Sequence, residues 1–134
     1  MAKLASVEGI GAVYAGKLQE SGIRTTGALL KAGASPQGRE EIAEKAGISP
    51  KLVLEWVNHV DLFRIKGVGE EYADLLEEAG VDTVPELAQR NAENLYAKLK
   101  ETNAQKDLVR QLPGARQVED WITQAKALPR VVTY

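Results

Sequence analysis

The 134-residue sequence has no cysteine, which excludes disulfides, thiolate metal centres and thiol nucleophiles. It has one histidine, His59, the sole side chain whose unperturbed pKa lies near neutrality. An enzyme on this chain would have to run on carboxylates, lysines or a bound ion, so a non-enzymatic protein without a small-molecule substrate is expected. No phosphate loop of the Gly-x-x-x-x-Gly-Lys type is expected. Ser6, Ser21, Ser35 and Ser49 have no base beside them in any recognisable motif. Long apolar runs are absent as well: neither Met1 to Ser6 nor any later stretch reads as a signal peptide or a membrane span. A cytoplasmic protein with no membrane partner follows as the expectation. Nor is there a surplus of positive charge, since 17 Lys+Arg face 19 Asp+Glu for a net −2; no overall field draws nucleic acid to the chain.

What the sequence does contain is a duplication. Sliding it on itself by 58 residues places Val7-Glu8-Gly9-Ile10-Gly11-Ala12-Val13-Tyr14-Ala15 on Ile65-Lys66-Gly67-Val68-Gly69-Glu70-Glu71-Tyr72-Ala73. The match runs on without a gap through Leu18 on Leu76, Glu20 on Glu78, Gly22 on Gly80, Thr25 on Thr83 and Leu29 on Leu87, an order that marks an internal repeat. Later, Val53-Leu54-Glu55-Trp56-Val57 resembles Val118-Glu119-Asp120-Trp121-Ile122 at an offset of 65. The second copy therefore carries a seven-residue insertion, expected in the polar stretch Glu101 to Asp107.

Local signals make both copies helical. Val13, Tyr14 and Leu18 in one copy, and Tyr72, Leu75, Leu76 and Ala79 in the other, recur at helical spacing. Gly22 and Gly80 stand where left-handed C-caps would stop these runs. Ser35-Pro36, Ser49-Pro50 and Asn91 read as helix starts, and Thr83-Val84-Pro85-Glu86 as a capping box. Strand-like alternation is missing apart from Val131-Val132-Thr133, in a tail suited to docking as an extended strand. The fold class is all-α, with about eight short helices.

The pattern apolar-Gly-apolar-Gly-x-x-Tyr-Ala between two helices resembles the helix-hairpin-helix motif, and residues 4 to 128 as a whole resemble a bacterial tandem helix-hairpin-helix family known only as a domain of unknown function. The resemblance implies two fused repeats in one compact pseudo-two-fold domain, 1–134. Repeat one covers 4–64 with its hairpin at 7–22, repeat two covers 65–128 with its hairpin at 65–80, and 129–134 form a tail. It also implies backbone N–H groups exposed at a helix start, where a phosphate is held without base reading, and a monovalent cation on hairpin carbonyls. A helix N-terminus with glycines before it suits an anion physically. No other cofactor and no metal are expected. Copy two has a full helix, Pro50 to Phe63, leading into its hairpin, whereas copy one has six residues before Val7. The helix carrying Trp121 is therefore expected to fold back over hairpin one.

Charge separates the two hairpins. Residues 1 to 31 hold Lys3, Lys17, Arg24 and Lys31 against Glu8 and Glu20, residues 65 to 88 balance to −6, and residues 98 to 134 to +3. The phosphate-binding candidates are Gly9, Ile10, Gly11 and Ala12 with Lys17 and Arg24. In hairpin two, Gly67, Val68 and Gly69 are read as structural, because Glu70 and Glu71 satisfy the helix start themselves. Glu70, Glu71, Asp74, Glu77 and Glu78 form a candidate acidic face for a protein partner or a second copy, read as solvated rather than catalytic. Tyr14, Tyr72, Trp56 and Trp121 are expected as core anchors rather than base-stacking platforms, and Glu55 with His59 as too few ligands for a metal. A protein-binding adaptor is thus the expected function, with weak, sequence-independent DNA binding through hairpin one as the alternative.

Overall fold

A computed structural model describes Leu4, Val7 and residues 9–134; Lys3, Ser6 and Glu8 lie outside the described residues. These hold eight α-helices and no strand: α1 (Ala12–Glu20), α2 (Thr26–Ala32), α3 (Pro36–Ala46), α4 (Pro50–Leu62), α5 (Glu70–Glu78), α6 (Val84–Ala88), α7 (Ala92–Lys106) and α8 (Ala115–Ala127). Two compact units divide the chain, Met1–Asp61 with Val131–Tyr134, and Leu62–Arg130.

Side chains that compete well for backbone amides set the helix starts. Thr25, Ser35 and Asn91 accept from the N–H of Ala28, Gly38 and Asn94 at 3.0–3.1 Å, each worth about 1 kcal/mol as a cap. The capping box expected at Thr83 does not form: Thr83 is buried without a capping bond, and Glu86 instead accepts from the N–H of Asp82 at 3.1 Å. Helices α1 and α5 end alike. Ile23 N–H donates to Leu18 O and Gly22 N–H to Gln19 O, matched by Val81 to Leu76 and Gly80 to Glu77. These paired bonds form the glycine-closed Schellman arrangement, with Gly22 and Gly80 at φ +91° and +96°.

In the first unit α3 packs on α1 and α2. Leu18, Leu29, Val53 and Val57 are fully buried in this unit. In the second unit α8 packs on α6 and α7, and α5 on α7, around Leu75, Leu76, Leu87, Leu95, Leu99 and Trp121. Leu62, the last residue of α4, already belongs to this second core. The insertion extends past the expected Glu101 to Asp107. It is shared between a longer α7 and the loop 107–114, which Asn103 organises by accepting from the N–H groups of Leu108 and Val109 at 2.8 and 2.9 Å.

Trp121 does not serve hairpin one as expected. It packs in its own unit against Tyr72 (ring centroids 5.3 Å apart) and beside Gly67. Trp56 of α4 takes the corresponding place in the first unit, 5.1 Å from Tyr14 and beside Gly9. Each repeat carries its own cover because the tryptophan helix follows its glycine turn in sequence and returns to it. The tail 131–134 is ordered on the first unit, with Val132 buried and Thr133 N–H donating to Ala34 O at 2.8 Å.

Candidate functional site

The candidate glycines lie in two turns whose backbones match bond for bond. Val7 N–H donates to Leu4 O and Ile10 N–H to Val7 O; Ile65 donates to Leu62 and Val68 to Ile65, all at 3.0–3.1 Å. Gly9 and Gly67 take φ +90° and +96°, a region that costs any other residue strain. An added Cβ would also fall 3.3 and 3.1 Å from the indole nitrogens of Trp56 and Trp121. The Trp121 indole N–H is buried and has no acceptor among the described residues, a cost of about 1–3 kcal/mol that the packing of the ring must offset.

At the first turn α1 begins on Gly11 in extended backbone, without a side-chain cap and without a carboxylate in its first turn. Gly11, Ala12 and Val13 are exposed, Val13 by 72%. The first amides of any helix lack intrahelical acceptors and carry its positive end, so Ala12 and Val13 present that end to solvent. Ile10, by contrast, is buried and its N–H is committed to Val7 O, which removes it from the candidate donors. Lys17 stands 5.8 Å over the Tyr14 ring. Arg24 lies past the other end of α1, lining a shallow depression with Gly16, Gln19 and Glu20, and Lys31 is exposed in the last turn of α2. Of these three described basic residues, Lys17 is the one beside the turn's aromatic pair; Lys3 lies outside the described residues. Gly11 to Lys17 spell Gly-x-x-x-x-Gly-Lys, but Leu18 replaces the hydroxyl residue and the segment is helix, so it is no phosphate loop.

At the second turn Gly67 and Gly69 are exposed and Val68 is buried. Glu70 and Glu71 open α5, where their charge complements the helix dipole. The backbone of Lys66 is bracketed by Gln124 of α8, which accepts from its N–H at 2.8 Å and donates to its O at 3.1 Å. An open cleft of about 510 Å³ is lined by Gly67, Gly69, Glu70, Glu71, Tyr72, Arg110 and Gln111, and the Tyr72 hydroxyl donates to Gln111 O at 3.0 Å. Sequence reading missed Arg110 and Gln111, which come from the inserted loop; a repeat alignment treats an insertion as a gap and gives it no role.

Along α5, Asp74 and Glu77 are half-buried and Glu78 is exposed, in an ion pair with Lys106. Asp82 follows the helix at the repeat position of Arg24. Burial raises its carboxyl above the usual aspartate range, and repulsion from Glu86 and Glu77 adds to the shift.

Glu55 is exposed on α4 whereas His59 is buried, so the two do not share a surface. His59 stands at the repeat position of Gln124. No cluster of three or more metal-binding side chains occurs among the described residues, and no helix there is long and apolar enough to cross a membrane. Arg39, 6% exposed, gave no signal in the sequence, because one of its acceptors, Thr133 O, is 94 residues away.

No curated protein and no solved structure matches the chain. A family model does, over residues 8–128 and so through the repeats of both units: the chain belongs to the family described as domain of unknown function DUF4332.

Proposed function

We propose that the chain is a non-enzymatic binding module of two helix-hairpin-helix units that holds a protein partner, a second copy of the chain included. One observation carries this reading: the two turns share a backbone, yet α5 opens with Glu70 and Glu71 while α1 opens with the exposed Ala12 and Val13. A carboxylate at a helix start takes up the positive end that a phosphate would use. The second turn and the α5 face (Glu70, Glu71, Asp74, Glu77, Glu78) then suit a basic protein surface.

The test is association of the full chain with partners from its source cells, compared with a Glu70→Lys/Glu71→Lys variant, alongside sedimentation for self-association. Loss of the association in the variant supports the reading; association unchanged by charge reversal overturns the acidic face.

A second reading, backbone-phosphate binding at the first turn, is favoured by the uncapped, carboxylate-free start of α1 with Lys17 nearby. With Arg24 at the other end of α1 and Ile10 N–H committed, few charges serve it, and non-specific affinity grows with the number of phosphates neutralised. Titration of labelled duplex and single-stranded DNA at about 50 and 200 mM salt separates the readings. Salt-sensitive binding that disappears on replacing Gly9 and Gly11 would put this reading first.

A further inference from the structure

Away from both turns, the first unit holds an extended segment in a built groove. Gly33 lets the corner between α2 and α3 sit directly on α4, where an added Cβ would fall 2.5 Å from Val57 Cγ2. Around this corner Ala34, Arg39 and Asn58 converge on residues 131–134. Thr133 N–H donates to Ala34 O at 2.8 Å, and Thr133 O accepts from Arg39 Nη2 at 2.7 Å. Val132 is 2% exposed. The Tyr134 hydroxyl donates to Asn58 Oδ1 at 2.9 Å, with the Arg39 guanidinium 5.7 Å from the centre of its ring.

Arg39 makes this more than a packed end. Its Nη1 donates to Gly33 O and Ala34 O at 2.9 and 3.1 Å, acceptors from its own neighbourhood. Those bonds hold the guanidinium in place, so Nη2 is already positioned for the backbone carbonyl that the tail delivers. A buried cation with an unmatched N–H is costly, so the site gains from any carbonyl placed there. Ala34 O and Arg39 Nη2 together read one residue's N–H and C=O, as a sheet edge does, while alternate side chains supply selectivity.

We propose that this groove is a docking site for extended protein segments of the form β-branched apolar residue, Thr, aromatic residue, and that the chain's own tail is its resident, displaceable occupant. The backbone bonds described between residues 131–134 and the corner run through Thr133, and Tyr134 is 63% exposed; segments held by solvent-accessible backbone bonds open at lower free-energy cost than the core. An occupant on a short tether competes at an effective concentration of roughly millimolar. A partner's segment therefore gains access when the tail is loosened.

The probe is a fluorescein-labelled peptide Arg-Val-Val-Thr-Tyr, titrated into the full chain, into the full-length variant Val132→Asp, and into Val132→Asp/Arg39→Ala. Circular dichroism reports the fold of each. Placing a carboxylate in the Val132 pocket should free the groove and tighten peptide binding at least tenfold relative to the unsubstituted chain. Removing Arg39 in that background should abolish the gain, and a peptide with Pro in place of Thr, lacking the N–H that Ala34 O accepts, should fail to bind. Equal binding by the unsubstituted and Val132→Asp chains, no binding by either, or undiminished binding of the Pro peptide overturns the proposal. Thr133→Pro is a milder way to release the tail. If both release variants lose their helical content, the tail is a core element rather than an occupant, and the proposal falls.

Discussion

The turns at Gly9–Gly11 and Gly67–Gly69 differ in what they show to solvent and agree in how they are held. Each has a left-handed glycine under a tryptophan, a tyrosine beside that tryptophan, and a Schellman closure at the end of the following helix. None of these features involves the first two helical positions, where one copy has Ala12-Val13 and the other Glu70-Glu71. Because the backbone is secured from beneath, the side chains on top were free to diverge. The same freedom operates after the helices, where Arg24 in one copy stands against Asp82 in the other. The repeat thus separates a buried layer that maintains geometry from a solvent-facing layer whose charge differs between the copies.

The sharpest way to break this equivalence is to remove the covers. Trp56→Ala and Trp121→Ala should each cost about 3–5 kcal/mol in denaturant unfolding, since both rings are at most 2% exposed. A much smaller loss at one site would show that its turn is held by something else. Gly67→Ala and Gly9→Ala come next, at about 1–3 kcal/mol from positive φ combined with the close indole nitrogen. Gly67 should be the costlier, its Cβ contact being 3.1 Å against 3.3 Å. Equal costs would mean that φ alone decides.

Exchanging the first turns sharpens the other half of the comparison. Ala12→Glu/Val13→Glu should stabilise the fold by about 0.3–1 kcal/mol through the helix dipole, and Glu70→Ala/Glu71→Val should destabilise it by a similar amount; thermal unfolding at low salt reads both. The smallest effect concerns Asp82. Burial holds its folded-state carboxyl above the ordinary aspartate range, so between the ordinary and the raised value the folded chain binds more protons than the unfolded chain. Stability contributed by this group is then present in acid and lost as pH rises through the window. Asp82→Asn should raise Tm at neutral pH by about 1–2 °C, with the advantage disappearing below the window.

The helical class, the glycine-closed helix ends and most of the cap residues were legible because each rests on a few adjacent residues. Thr83 was misread although its letters fit a capping box, since burial of Thr83 and the reach of Glu86 to Asp82 are decided by packing. The cover of hairpin one was misassigned because the offset of 65 that pairs Trp56 with Trp121 does not say which turn each ring returns to. Ile10 looked available as a donor until its bond to Val7 O was seen. Arg39 was not legible, since its role depends on a tail residue at the other end of the chain. Of the candidate surfaces, the acidic run on α5 could be read directly, while Arg110 and Gln111 of the cleft came from an insertion.

The tryptophans have a practical use as well. The chain has two, one in each compact unit, each about 5 Å from a tyrosine of its own repeat. Replacing one by Phe leaves a single-tryptophan protein whose fluorescence reports on the other unit alone. Unfolding curves from the two single-tryptophan proteins coincide when the units unfold together and separate when they do not. The duplication thus supplies an optical probe for each half, placed beside its glycine turn.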